Sequence, residues 1–104
     1  MGQMMAKVQE ADLVVTNPTH YAVAIRYNKS EAPAPIIVAM GVDHMALKIR
    51  EEARKHDIPR IENRPLARAL HAKGKVGSVI PEELFQPVAK VLAVVYRRRQ
   101  LKAS

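Results

Sequence analysis

Asn17-Pro18-Thr19-His20 is the stretch of this chain whose residue types and order can do chemistry. An asparagine ordinarily ages when the backbone N–H of the next residue attacks its side-chain amide, but Pro18 has no N–H. The remaining route runs the other way. The Asn17 side-chain nitrogen attacks the Asn17 main-chain carbonyl, a succinimide forms at the end of the first fragment, and Pro18 leaves as a new amino terminus. An amide nitrogen is a weak nucleophile and the peptide bond is resonance-stabilised, so the fold has to supply the rest. It needs a turn that holds the nitrogen against the carbonyl carbon, strain stored in that turn, a group that moves protons and a donor for the developing oxyanion. His20 is of a type that titrates near neutral pH and suits the proton transfers. The Thr19 hydroxyl or a backbone amide suits the oxyanion. Each residue also has a plain structural reading: Asn-Pro is a common turn dipeptide whose asparagine bonds its local backbone, and a histidine beside a turn is often a surface residue.

Little else in the sequence competes with this tetrad. His44, His56 and His71 lack a metal-ligand spacing and read as surface or helix-capping residues, so neither a metal nor a cofactor is expected. No Gly-rich phosphate loop and no G-x-S-x-G elbow occur. The chain has no cysteine, which removes both a disulfide framework and a thiol nucleophile and fits a reducing cytosol. A turnover hydrolase built on His20 therefore lacks its nucleophile. The apolar run Val91 to Tyr96 is too short to span a bilayer. The first residues read neither as a signal peptide nor as a myristoylation site, because Ala6 stands where Ser or Thr is wanted. The net charge of +7 suggests an anionic neighbour, whether nucleic acid, an acidic protein face or a phospholipid surface; a solvated basic surface is the plain reading. A basic nucleic-acid-binding module without catalytic activity is thus the alternative to self-cleavage. Scarce aromatics and the lack of a recognition helix count against it.

The elements that must hold the tetrad follow from periodicity. The 104 residues make one domain. Residues 1–10 read as a polar helical lead-in, 11–97 as the domain proper and 98–104 as a basic tail. Leu13 to Thr16 is a short apolar strand, and Asn17-Pro18 ends it in a turn. His20 to Tyr27 alternates, with Tyr21, Val23, Ile25 and Tyr27 on one face and Ala22, Ala24 and Arg26 on the other, which argues a second strand. Ile36 to Ala39 is continuously apolar and reads as a central strand buried on both faces. Gly41 closes it. Asp43 is placed to cap a helix running to about His56, with Val42, Met45, Ala46, Ile49 and Ala53 inward and four-apart pairs Lys48–Glu52 and Glu51–Lys55 outward. Ile58 to Glu62 is a fourth strand. Asn63 caps the next helix, with Pro65 in its first turn and Leu66, Ala69 and Leu70 inward. The last helix starts at Pro81, carries Glu82 and Glu83 in its first turn, buries Leu84, Val88, Val91, Leu92 and Val95, and ends in Arg97, Arg98 and Arg99. The order β-β-β-α-β-α-α predicts an α/β fold: a small mixed four-stranded sheet surrounded by about four helices.

The stretch NPTHYAVAIRY, followed by PLARAL at Pro65 to Leu70 and the Ile80-Pro81-Glu82 helix start, resembles the FlhB/YscU family of flagellar and type III export-switch proteins. The likeness runs from about Ala11 to Tyr96, and Tyr21-Ala22-Val23-Ala24 resembles the flagellar branch more than the virulence branch. The resemblance implies that Asn17, Pro18, Thr19 and His20 are the family's self-cleavage motif. It implies a single-turnover intramolecular scission, like that of an asparagine peptide lyase, and not a turnover enzyme. It further implies an N-terminal membrane domain to which this part is attached at the cytoplasmic face of the bacterial inner membrane. The two pieces stay together after scission, and the apparatus then changes which export substrates it accepts. The implied partners are other export-apparatus subunits including the large export gate protein, a secreted length-ruler protein and the export substrates; no nucleic acid is expected. An anionic membrane surface suits the basic C-terminus. Met40, where flagellar relatives often carry lysine, and the polar pair Asp43-His44 depart from the family pattern.

Overall fold

The computed structural model describes residues 2–103; Met1 and Ser104, the outermost residues of the expected lead-in and tail, lie outside the described residues. A short helix α1 (Gly2–Lys7) and a 3-10 turn (Val8–Glu10) lead into β1 (Leu13–Asn17) and β2 (Tyr21–Arg26). There follow β3 (Ile36–Val42), α2 (Asp43–Lys55), β4 (Arg60–Glu62), α3 (Arg64–Lys73), a second 3-10 turn (Glu82–Leu84) and α4 (Phe85–Ala103). The strand order is β3-β2-β1-β4. β1 runs antiparallel to β2 and parallel to β4, so the sheet is mixed and four-stranded as predicted.

Both faces of this sheet are covered, and the period of two in β2 shows why. Val23 and Ile25 join Leu13 and Val15 of β1 in a core with Leu66 and Leu70 of α3 and Val88, Leu92 and Val95 of α4. Ala22 and Ala24 point the other way, into a second core with Val14 and with Ala46, Ile49 and Ala53 of α2. Alanine on both the strand and the helix lets their backbones approach closely. Val8 of the lead-in is fully buried in that second core, and Arg26 pairs with both Glu10 and Glu31, tying the lead-in and the loop after β2 to the same spot.

Five expectations are corrected. β3 is an edge strand, not a central one. It reads as buried on both faces because Ile37, Val38 and Ala39 are indeed covered, while its open edge is closed by the loop before Pro81: Ile37 N–H donates to Ser78 O at 3.0 Å and Gly77 N–H donates to Ile37 O at 2.7 Å. That is a direct way of blunting a sheet edge. Asp43 does not cap α2. Val42 holds the capping position without a side-chain bond and is 40% exposed, not inward. The glutamates of α2 take other partners than expected, as Glu51–Arg54, Glu52–Lys55 and Glu52–His56; the hydrogen bond from Arg54 holds the Glu51 carboxyl below its usual range. Finally, α4 begins at Phe85, and Glu82 and Glu83 stand in the 3-10 turn before it.

The rest of α4 and α3 is as the periodicity requires. Leu84, Val88, Val91, Leu92 and Val95 are buried. α4 then continues through Arg97, Arg98 and Arg99, and Arg99 donates to Asp12 Oδ1 at 3.2 Å just before β1 begins. Burial, with the Asp12 carboxylate second, raises the pKa of the neighbouring Tyr96 hydroxyl. Asn63 caps α3, its side-chain oxygen accepting from Leu66 N–H at 3.2 Å. Among the described residues no helix is long and apolar enough to cross a membrane.

Candidate functional site

β1 and β2 pair from Leu13↔Ile25 to Asn17↔Tyr21, which leaves Pro18, Thr19 and His20 as the whole of the connection. His20 N–H donates to Asn17 O at 2.9 Å and closes a four-residue turn. Pro18 occupies its second position, where the fixed φ of proline fits. Thr19 occupies the third with φ +67°. Proline followed by a positive φ marks a type II turn, which calls for glycine or asparagine at that third position. A β-branched residue there is strained by about 1–2 kcal/mol. The turn expected at Asn17-Pro18 is present, and its strain sits one residue beyond Pro18.

The four residues of the tetrad are thus brought into one turn, with different surroundings. Asn17 is half-buried at the end of β1, and its neighbour Thr16 is buried with its hydroxyl 3.5 Å from Ile61 O. Thr19 and His20 are exposed. His20 Nδ1 lies 3.7 Å from Asp43 Oδ1, beyond hydrogen-bond reach. Both side chains face solvent, so the contact adds little and fixes the imidazole weakly. The backbone link is firmer: Asp43 N–H donates to His20 O at 2.9 Å. Asp43 itself has φ +46°. The start of α2 is therefore pinned to the hairpin by main chain.

Two shallow depressions share Asn17. His20, Tyr21, Val42, Asp43 and Arg68 complete one of them. Arg64, Pro65, Arg68, Ala69 and Ala72 complete the other. α3 reaches this place because Asn63 N–H donates to Thr16 O at 2.9 Å, setting the helix start against the end of β1. At the far end of α3, the His71 ring packs against Tyr21 in a tilted contact, with ring centroids 5.2 Å apart. Sequence reading singled out Pro65 to Leu70 without assigning Arg68 to the tetrad. The signal was there in part: with Leu66 and Leu70 inward, Arg64 and Arg68 fall four apart on the outer face.

Comparison with known proteins agrees with this geometry. Residues 1–95 match the model described as the FlhB HrpN YscU SpaS family. The flagellar biosynthetic protein FlhB of Bacillus subtilis is 51% identical over 100 residues, which is 96% of this chain and 28% of that protein. The chain thus spans little more than a quarter of such curated relatives. The cytoplasmic domain of FlhB from Shewanella putrefaciens superposes with a TM-score of 0.94 at 46% identity, covering 98% of this chain and 78% of that one. An EscU C-terminal domain carrying an asparagine-to-alanine substitution superposes with a TM-score of 0.86 at 35% identity, covering 91% and 95%. Identity to these two flagellar proteins is higher than to this EscU domain, which favours the flagellar branch. By sequence over nearly its whole length and by the same sheet and helices, this chain belongs to the FlhB HrpN YscU SpaS family of export-apparatus proteins.

Proposed function

We propose that this domain cuts its own backbone between Asn17 and Pro18 and that the cut switches the substrate specificity of a flagellar export apparatus. The observation that carries the chemistry is the 2.9 Å hydrogen bond from His20 N–H to Asn17 O. That oxygen belongs to the scissile carbonyl. The donor polarises it in the ground state and stabilises the negative charge that gathers on it during attack, at no cost of reorganisation. Asn17 Nδ2 attacks the carbonyl carbon, the bond to Pro18 nitrogen breaks, and one proton passes from Nδ2 to the leaving nitrogen. The exposed His20 imidazole stands in the turn where that proton moves. The left-handed Thr19 contributes ground-state strain that relaxes as the turn opens. The reaction occurs once per chain, so the domain is not a turnover enzyme.

Intact mass spectrometry under denaturing conditions tests this. The expected result is two species, one ending at Asn17 and one beginning at Pro18, whose masses sum to that of the parent chain; later the small fragment gains one water as its succinimide opens. A single parent mass after long incubation at neutral and mildly alkaline pH overturns the proposal.

Thr19→Gly tests the strain. In an uncleavable Asn17→Ala background it raises folding stability by about 1 kcal/mol, because glycine accepts the positive φ without cost. In the cleavable chain it slows scission by about fivefold, the factor that about 1 kcal/mol of lost strain corresponds to. Thr19→Ala keeps the strain and removes the hydroxyl, so a rate near the parent's assigns the effect to backbone conformation.

As in the resemblance, the proposed setting is the cytoplasmic face of the inner membrane, beneath a membrane domain, with the export gate protein, a length-ruler protein and export substrates as partners. One structural feature supports an anionic neighbour: Arg60, Arg98, Arg99 and Lys102 line one groove between β4 and the end of α4, with Asp57 the acidic residue among its lining.

A further inference from the structure

We infer that Arg68 is the counter-charge for the carboxylate that scission leaves at position 17, and so a positioning residue for the cut state. The inference rests on the self-cleavage reading above. Scission itself leaves position 17 neutral: the new N–C bond closes the succinimide, the C–N bond to Pro18 breaks, and Pro18 becomes a secondary amine that takes a proton from water. Water then adds to one imide carbonyl, the ring C–N bond opens with the proton going to nitrogen, and the resulting acid ionises. Opening at the former main-chain carbonyl gives an α-carboxylate with the side-chain amide restored. Opening at the other carbonyl gives a side-chain carboxylate with an α-amide. Either product puts one negative charge at position 17.

Arg68 is already waiting there. It borders both depressions that share Asn17. Among the described residues no hydrogen bond or ion pair engages its guanidinium. The other charges nearby are committed or turned elsewhere: Arg64 bonds Glu62 at 3.3 Å, and Asp43 faces His20 at 3.7 Å. The helix that carries Arg68 is fixed by the Asn63 cap and by the buried Leu66 and Leu70, so its base is rigid while its planar donor fork remains free to take a carboxylate. The protonated Pro18 has the same sign as Arg68 and is repelled. One side chain therefore sorts the two new ends, holding the first and turning away the second. The cut chain gains an ion pair that the uncut chain cannot form.

The test compares Arg68→Gln in cut and uncut protein. Mass spectrometry first establishes that both the parent and Arg68→Gln are cut and hydrolysed. In moderate urea, cut Arg68→Gln is expected to release the residue 1–17 fragment about two- to fivefold faster than the cut parent, the scale of an exposed pair. The difference fades at high salt, and Arg68→Lys restores most of it. In the uncut Asn17→Ala background, Arg68→Gln leaves the urea midpoint unchanged. Equal effects in the two backgrounds overturn the inference in favour of a merely structural arginine, and no effect in the cut protein overturns it outright. A parent chain that never splits overturns it together with the self-cleavage reading, and the mass spectrum alone distinguishes that outcome.

Discussion

Asn17→Ala remains a single species of full-chain mass under conditions in which the parent chain splits. The reason is that the substitution removes the only nitrogen placed to attack. Pro18 has no N–H, and His20 N–H, which closes the turn, points at the scissile oxygen and not its carbon. What is lost is an intramolecular reaction in a positioned geometry, so the rate falls by at least about a thousandfold. The fold survives the change. Asn17 is only half-buried, and among the described residues no hydrogen bond to its side-chain amide is formed, so alanine leaves no buried group unpaired. The EscU domain with alanine in place of an asparagine keeps the same architecture. Circular dichroism of Asn17→Ala matching the parent, together with an undivided mass, is the expected pair of results; complete scission of this variant would falsify attack by the side chain.

The second large effect concerns what scission does not do. The fragment of residues 1–17 co-elutes with the rest on gel filtration and separates only in denaturant. β1 lies between β2 and β4, and is hydrogen-bonded to both. Val8, Leu13, Val14 and Val15 are fully buried, split between the two cores. Burial of each such side chain contributes about 1.5–3 kcal/mol as an upper estimate. Withdrawing β1 opens both cores at once, so release of the fragment follows global unfolding. Elution of the small fragment by itself in native buffer would show that β1 is held far more loosely than its position implies.

Much of this was legible in the sequence because it is local. The alternation of Tyr21 to Tyr27 set both the strand and its two faces, since side chains alternate whatever the strand's neighbours are. The Asn63 cap and Pro65 start of α3 follow from the first-turn donors of any helix. The turn at Asn17-Pro18 follows from proline. What stayed hidden depends on segments distant in sequence. The edge position of β3 is disguised because the loop through Gly77 and Ser78 folds back on it, so it is buried like a central strand. The anchoring of the start of α2 to the hairpin depends on Asp43 N–H donating to His20 O, more than twenty residues earlier. Arg68 is brought beside the tetrad by the packing of α3 on the sheet and the contact between Asn63 and Thr16, which links segments more than forty residues apart.

The position of β1 also sets the order of the reactions that make and unmake the domain. An intact chain folds by a unimolecular step, because the loop holds β1 beside β2 at an effective concentration in the millimolar range or above. Once that loop is severed, the same sheet is a complex of two chains, and its recovery after unfolding depends on how dilute the two pieces are. A cut copy that opens in a dilute compartment closes again more slowly the more dilute the pieces are. The proposed scission would thus be a one-way step in two senses: the peptide bond is not remade, and a cut domain that comes apart at low concentration leaves the working population without any further signal.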